Sequence, residues 1–246
     1  MISNDLIFDL GFHNGDDTAF YLTKGFRVVA VEANPELFEA GLHRFDSDVR
    51  AGRLILLNKA ISENTGKVDF FIHATKTEWS SCLLSMAESD GSSATRVTVD
   101  STNLHELILE YGVPHYLKVD LEGCDLFVAK HLSECELKPK FVSFETSKRD
   151  YFGIFSYLYV SGYTGFQLIN QANNPNRVIP KTATDVKDDN FIFSEFSSGF
   201  FGEDLPKDKW LTFEESLTRY IKYKELKQID NVELGLGWLD VHARMD

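Results

Sequence analysis

Apolar and polar residues alternate along this chain in short blocks, and the blocks change period repeatedly. Leu6-Ile7-Phe8-Asp9-Leu10 is an apolar run that stops at a glycine, which predicts a buried strand. Asp16 to Lys24, with Phe20 and Leu22 among polar positions, predicts a helix. Phe26 to Val31 is β-rich and predicts a second strand. Asn34-Pro35 then opens a helix to about Arg44, with Asn as the cap, Pro at the first helical position, and Leu37, Phe38 and Leu42 inward. Leu54 to Leu57 and Val68 to Ile72 are further strands, separated by the turn residues Glu63-Asn64-Thr65-Gly66. Residues 75–95 are rich in Ser, Thr and Glu and predict a loop excursion.

The second half continues the alternation. Strands are predicted at Val97–Val99, Tyr116–Asp120, Phe141–Glu145, Gly165–Asn170 and Asn190–Phe193. Helices are predicted at Leu104–Tyr111, Asp125–Leu132 and Tyr151–Ser161. Strands alternating with helices at this spacing predict an open α/β sheet with parallel strands. Thr212 and Glu215 form a capping box, which starts a helix to about Lys227. Residues 1–200 read as one sheet domain, and 201–246 as a C-terminal helical appendage packed on it.

Charge narrows the partners. The 246 residues carry 25 Lys plus Arg against 38 Asp plus Glu, a formal net of −13. A nucleic acid held by counterion release needs a basic face, so no nucleic-acid partner is expected. No run of 18 apolar residues exists, and the first residues lack the pattern of a secretion signal, so no membrane association is expected. The three cysteines include no Cys-x-x-Cys, which disfavours a disulfide framework or a zinc site and makes a reducing cytoplasm the simplest compartment. A monomer and a homodimer are both compatible with this chain.

The informative segment is Asp9-Leu10-Gly11-Phe12-His13-Asn14-Gly15-Asp16-Asp17-Thr18, between a strand and a helix. Glycines there permit a tight turn and a ligand close to the backbone. Glu32 ends the second strand, 21 residues after Gly11, where an acidic side chain suits ribose hydroxyls. A dinucleotide would need Gly-x-Gly-x-x-Gly, but His13 replaces the second glycine and Asp16 and Asp17 would repel a pyrophosphate. S-adenosyl-L-methionine carries no phosphate and has a cationic sulfonium, so the acidic turn favours it over NAD. The rivals are an NAD-linked oxidoreductase or epimerase, and a non-catalytic binding protein with the same fold.

Four segments together resemble the FkbM family of S-adenosylmethionine-dependent methyltransferases. They are Phe8-Asp9-Leu10-Gly11-Phe12-His13-Asn14-Gly15-Asp16, Val31-Glu32-Ala33-Asn34-Pro35, Asn58-Lys59-Ala60-Ile61-Ser62 with Thr65-Gly66, and Leu117-Lys118-Val119-Asp120-Leu121-Glu122-Gly123. The likeness covers roughly residues 5 to 170. It implies a Rossmann-like seven-stranded, mostly parallel sheet with one antiparallel strand near its edge, and methyl transfer, typically to a hydroxyl oxygen of a sugar, glycan or other natural product. By family position, Asp9, Gly11 and Gly15 line the cofactor's amino-acid portion, flanked by His13, Asn14 and Thr18. Glu32 holds the ribose beside Ala33 and Asn34, Ala60 lies against the adenine, and Asp120 faces the methionine end. The tail, with Trp210 and Gly237-Trp238-Leu239-Asp240-Val241-His242-Ala243, is similar to the extension of some bacterial members and is given no role.

An alcohol acceptor must lose its proton to a base or a bound metal. Lys118 and Asp120, two apart on one strand, point to one face. Glu122 and Glu145 fall at the same strand ends. Asp120, Glu122 and Lys118 are therefore the catalytic candidates, with no resident metal assigned. Lys118 is suited to pair with Asp120 or Glu122, to pair with Glu145, or to steer an anionic acceptor. Glu122 is equally suited to charge the first turn of the following helix. Trp79, Ser80, Ser81 and Glu145 are the candidate acceptor-binding residues.

Overall fold

The computed structural model describes residues 2–146, 150–176, 191–229, 232–233 and 237–245. Twelve strands are numbered in chain order: β1 Ile2–Leu10, β2 Arg27–Glu32, β3 Leu54–Asn58, β4 Ala60–Ile61, β5 Gly66–His73, β6 Ala94–Thr102, β7 Val113–Val119, β8 Phe141–Glu145, β9 Gly165–Asn170, β10 Gln228–Ile229, β11 Val232–Glu233 and β12 Leu239–Arg244. The helices are α1 Asp16–Thr23, α2 Pro35–Arg44, α3 Asp46–Arg50, α4 Leu84–Ala87, α5 Leu104–Tyr111, α6 Asp125–Glu134, α7 Tyr151–Val160 and α8 Phe213–Lys227.

Seven strands form the central sheet in the order β3-β2-β1-β7-β8-β12-β9. β3, β2, β1, β7 and β8 pair in parallel, and β12 runs antiparallel to both neighbours, one place from the edge. Alternate residues of each strand feed opposite faces, and both faces are covered. Leu6, Phe8 and Leu10 join Val29, Val31, Leu117 and Val119 under α5 to α8. Ile7 joins Val28, Ala30 and Tyr116 under α1 and the segment around Phe200 and Phe201. The expected caps form: Asn34 accepts from the Glu36 N–H at 3.0 Å, and Thr212 and Glu215 bond reciprocally at 3.0 and 3.3 Å.

Three strand predictions fall outside the central sheet. Val68–Ile72 and Val97–Val99 belong to a separate small sheet, β4-β6-β5, in which β5 and β6 form an antiparallel pair. The polar excursion joins those two strands. Ser81 Oγ ties it to the end of β7 by donating to the Glu122 carbonyl at 2.8 Å. Of the predicted strand 190–193, Asn190 lies outside the described residues, and Phe191–Phe193 forms no strand. Its apolar character goes into ring packing instead: Phe191 and Phe193 sit 5.2 and 4.8 Å from Phe20. The last place in the sheet core is taken by β12, from the tail. An appendage packed outside the sheet therefore describes only part of residues 201–246: α8 covers the sheet, while β12 lies within it.

Candidate functional site

The site lies beyond the carboxyl ends of β1, β2, β7 and β8. The turn after β1 is set by Gly11, whose φ is +94°. A Cβ there would lie 1.9 Å from the Asp120 carbonyl oxygen, so only glycine lets the ends of β1 and β7 come this close. The Gly11 and Phe12 N–H groups donate to the Val31 carbonyl at 3.2 and 3.0 Å and fold the turn back over β2. Glu32 then meets it. Its two oxygens accept from the His13 and Asn34 N–H groups, each at 2.7 Å. Burial nevertheless pushes the Glu32 carboxyl up to about 7, against those two bonds.

A polar row crosses the sheet behind the turn. Asp9, Lys118, Ser143 and His242 are register partners on adjacent strands and share one face. Lys118 donates to the Gly11 carbonyl at 2.9 Å, and its Nζ lies 3.4 Å from Asp9, 3.5 Å from Asp17 and 3.6 Å from Asp120. Burial works against its charge, but Asp9, Asp120, Asp17 and Asp240 outweigh it and hold its pKa well above the ordinary lysine value. Burial raises Asp9 and lifts Asp17 to about 6, with the Lys118 charge opposing in both. Of the carboxylates considered from the sequence, Asp120 is the one within reach of Lys118, and Asp9 and Asp17 join it. At 5% exposure, Lys118 also holds the Gly11 carbonyl and so organises the turn.

One step nearer the edge is a second row. Asp120 follows Val119, the partner of Phe144, and Asp240 is the register partner of Glu145. Asp120, Glu145 and Asp240 thus stand side by side on one face. Asp120, Glu122 and Glu145 each offer an oxygen, all within 4.8 Å of one another. Glu122 has φ +48°, a left-handed conformation uncommon for a non-glycine residue. Beside it Asp125, in the first turn of α6, accepts from the Leu121 and Gly123 N–H groups of the preceding loop at 3.1 Å each. Asp240 is fully buried. Burial raises its carboxyl well above the usual range and the Asp120 charge adds to that, while Gln171 opposes it.

These groups meet at a cavity of about 960 Å³, a size within the range of small-molecule sites. Of the residues singled out from the sequence, Gly11, His13, Asn14, Glu32, Ala33, Ala60, Trp79, Ser80, Lys118, Asp120, Glu122 and Glu145 reach its wall. Asp9, Gly15, Thr18, Asn34 and Ser81 do not. Thr18 donates to Asp9 at 2.6 Å, both wholly buried behind the turn. Gly15 caps α1, where a Cβ would strike the Phe12 and Phe45 rings. Asn34 is spent on capping α2, and Ser81 on fastening the excursion.

Other wall residues went unassigned from the sequence, notably Phe196, Gln171 and Trp238. Trp238 Nε1 donates to the Gln171 side-chain oxygen. The His13 ring meets Phe196 edge-on at 5.3 Å and lies 3.1 Å from the Thr77 hydroxyl. Burial lowers the His13 pKa and favours the neutral ring. Lys76 sits over the Trp79 ring at 3.6 Å. Nine carboxylate residues and three lysines line the wall, which favours neutral or cationic ligands over anionic ones.

Residues 9–167 match the methyltransferase FkbM domain family. The crystal structure of methyltransferase FkbM from Methylobacillus flagellatus KT is 18% identical, with a TM-score of 0.47 over 69% of this chain and 41% of that one. Phosphoethanolamine N-methyltransferase 1 from Haemonchus contortus, in complex with phosphoethanolamine and S-adenosylhomocysteine, is 11% identical, with a TM-score of 0.36 over 99% of this chain and 37% of that one. This chain therefore spans about two fifths of the length of each of those structures. No curated protein sequence matches it. The family match covers well over half of the chain, and the chain belongs to the FkbM family of methyltransferases.

Proposed function

We propose that this protein transfers a methyl group from S-adenosyl-L-methionine to a hydroxyl oxygen of a sugar, glycan or natural-product acceptor. The observation that carries the reading is Glu32. Each carboxylate oxygen accepts one backbone N–H, which leaves each a free lone pair on the wall of the cavity. Two acceptor sites on one carboxylate suit the paired hydroxyls of a ribose. Ala33 and Ala60 supply small apolar surface beside it for the adenine, and Gly11, His13 and Asn14 supply the turn for the amino-acid end.

When bound, the cofactor supplies an electrophilic methyl group on a cationic sulfur. The residues of the chain do the rest. The Asp120, Glu122 and Glu145 carboxylates orient an acceptor hydroxyl and offer it a place for its proton. Trp79 offers a ring face suited to a sugar-like acceptor, and Ser80 lies beside it. Lys118 is a positioning residue that holds Asp120 and the Gly11 carbonyl. The NAD-linked alternative is disfavoured by the start of α1, where Asp16 and Asp17 occupy the place a pyrophosphate would need.

Three free cysteines fit a reducing cytoplasm. No helix among the described residues is long and apolar enough to cross a membrane. The test is incubation with methyl-labelled cofactor and extract of the source cell, followed by mass identification of the product. A labelled methyl ether on a hydroxylated small molecule or glycan is expected. Saturable cofactor binding with no labelled product from a broad hydroxyl panel would instead support the non-catalytic binding protein.

A further inference from the structure

We propose that Cys82 and Cys124 form a redox modification site, which a hydroperoxide converts to a disulfide that reshapes the cavity wall beside Ala60. Both cysteines line the cavity. They come from separate segments that are fastened together close by. Ser81, next to Cys82, pairs with Phe71 through its backbone groups at 2.8 and 3.0 Å and donates its hydroxyl to the Glu122 carbonyl at 2.8 Å. Met86 packs so closely on Gly123 that a Cβ there would lie 3.0 Å from the Met86 Cγ. Between these fastenings the two thiols are hydrogen-bond partners of one another. The Cys82 thiol also faces the Ile61 carbonyl oxygen at 4.0 Å.

A buried cysteine ordinarily serves as a small apolar side chain. What sets this pair apart is contact between two thiols together with access, since reactivity follows thiolate character and exposure. The hydrogen bond from Cys124 holds the Cys82 thiol below its ordinary value, and the same bond, with burial, pushes Cys124 up. Cys82 is half-buried on the cavity wall, whereas Cys124 is 2% exposed. Cys82 is thus the sulfur that meets the oxidant, and Cys124 the one that resolves the product. Cys135 supplies the contrast. It closes the far end of α6, donates to the His131 carbonyl at 3.2 Å, and its thiol is raised by burial.

With hydrogen peroxide as the oxidant, the Cys82 thiolate attacks one peroxide oxygen. An S–O bond forms, the O–O bond breaks, and the departing hydroxide takes up a proton and leaves as water. The product is a sulfenic acid. The Cys124 sulfur then attacks the Cys82 sulfur, and its proton leaves with the hydroxyl as a second water. Each cysteine sulfur gives up one electron and the peroxide takes both. The sulfurs close from hydrogen-bond contact to about 2.0 Å, and Cys82 loses the hydrogen it directs at Ile61. Ile61 and Ala60 line the same wall. The consequence for cofactor affinity rests on the methyl-transfer reading, in which Ala60 lies against the adenine. The disulfide itself does not.

The experiment treats the full reduced chain with hydrogen peroxide and maps the product by mass spectrometry without reductant. An intramolecular Cys82–Cys124 bond is expected, with the mass of two hydrogens lost, Cys135 still reduced, and full reversal by dithiothreitol. In Cys124→Ser, dimedone should trap a sulfenic acid on Cys82, while Cys135→Ser should still form the bond. Irreversible oxidation of Cys82 with no link to Cys124 overturns the proposal, and so does a pair that stays reduced in millimolar peroxide. Both outcomes are read on the wild-type chain, so the test holds where a variant fails to fold. S-adenosylhomocysteine is then titrated into the reduced and the oxidised protein. Oxidation should weaken its binding by at least about fivefold, the lower end of ordinary coupling between sites, and dithiothreitol should restore it. Unchanged affinity with the disulfide formed overturns the reshaping of the wall. No binding by the reduced protein defeats the methyl-transfer reading and leaves the disulfide standing.

Discussion

Glu32→Gln separates the cost of this site from its use. In the folded protein the Glu32 carboxyl is lifted from an ordinary 4.5 to about 7, chiefly by burial. At about 1.4 kcal/mol per tenfold, this is a penalty of about 3 kcal/mol on the ionised form. The sign follows from linkage. Below pH 4.5 the group is protonated in both states and the penalty is absent. As pH rises through 7 the fold must either hold a proton the unfolded chain has released or bury the charge, so stability falls. Glutamine stays neutral and escapes the penalty, but it sets an NH2 against one of the two backbone N–H groups now held at 2.7 Å, at a cost of about 1–3 kcal/mol. Relative to wild type, the variant should gain about 2–3 kcal/mol in apo stability between pH 5 and pH 8, read by urea unfolding at each pH. Its affinity for S-adenosylhomocysteine should fall by about 1–3 kcal/mol at pH 8, because one charged acceptor for ribose is gone. Stability and affinity thus move in opposite directions at high pH. Parallel stability curves for the two proteins, or unchanged affinity, would refute the reasoning.

Other substitutions have distinct signatures. Gly11→Ala should abolish cofactor binding and destabilise the fold by about 1–3 kcal/mol, from the backbone clash with Asp120 and the positive φ, as measured by thermal unfolding and calorimetry. Lys118→Met should cost about 3–5 kcal/mol at pH 8 by leaving Asp9 and Asp17 buried without their cation, and part of that should return at pH 5 as they protonate. Trp79→Ala should leave cofactor affinity unchanged and raise KM for the acceptor. A change in cofactor affinity instead would place Trp79 on the wrong side of the cavity.

The parts of this molecule legible in the sequence are those set by local rules. The first strand, its glycine turn, the Asn34-Pro35 helix start and the Thr212–Glu215 box all stand where neighbouring residues alone put them. Glu32 was found by its distance from Gly11. The tail strand was not. Leu239-Asp240-Val241-His242-Ala243-Arg244 alternates with period two, but the alternation does not say that its polar side would be buried between β8 and β9. That depends on sheet order, a long-range property. The buried partners of Lys118 were hidden for the same reason. Its partner Asp17 comes from α1, and only the packing of α1 on the sheet brings them within 3.5 Å. Phe191 and Phe193 show the reverse limit: an apolar run satisfied by rings on Phe20 reads the same in sequence as one satisfied by a ladder.

Calorimetric titration of the purified chain with S-adenosyl-L-methionine and, separately, with NAD bears most directly on the central claim. The geometry around Glu32 and the acidic start of α1 predict one S-adenosyl-L-methionine per chain and no heat from NAD. Saturable binding of NAD with none of S-adenosyl-L-methionine would contradict the account.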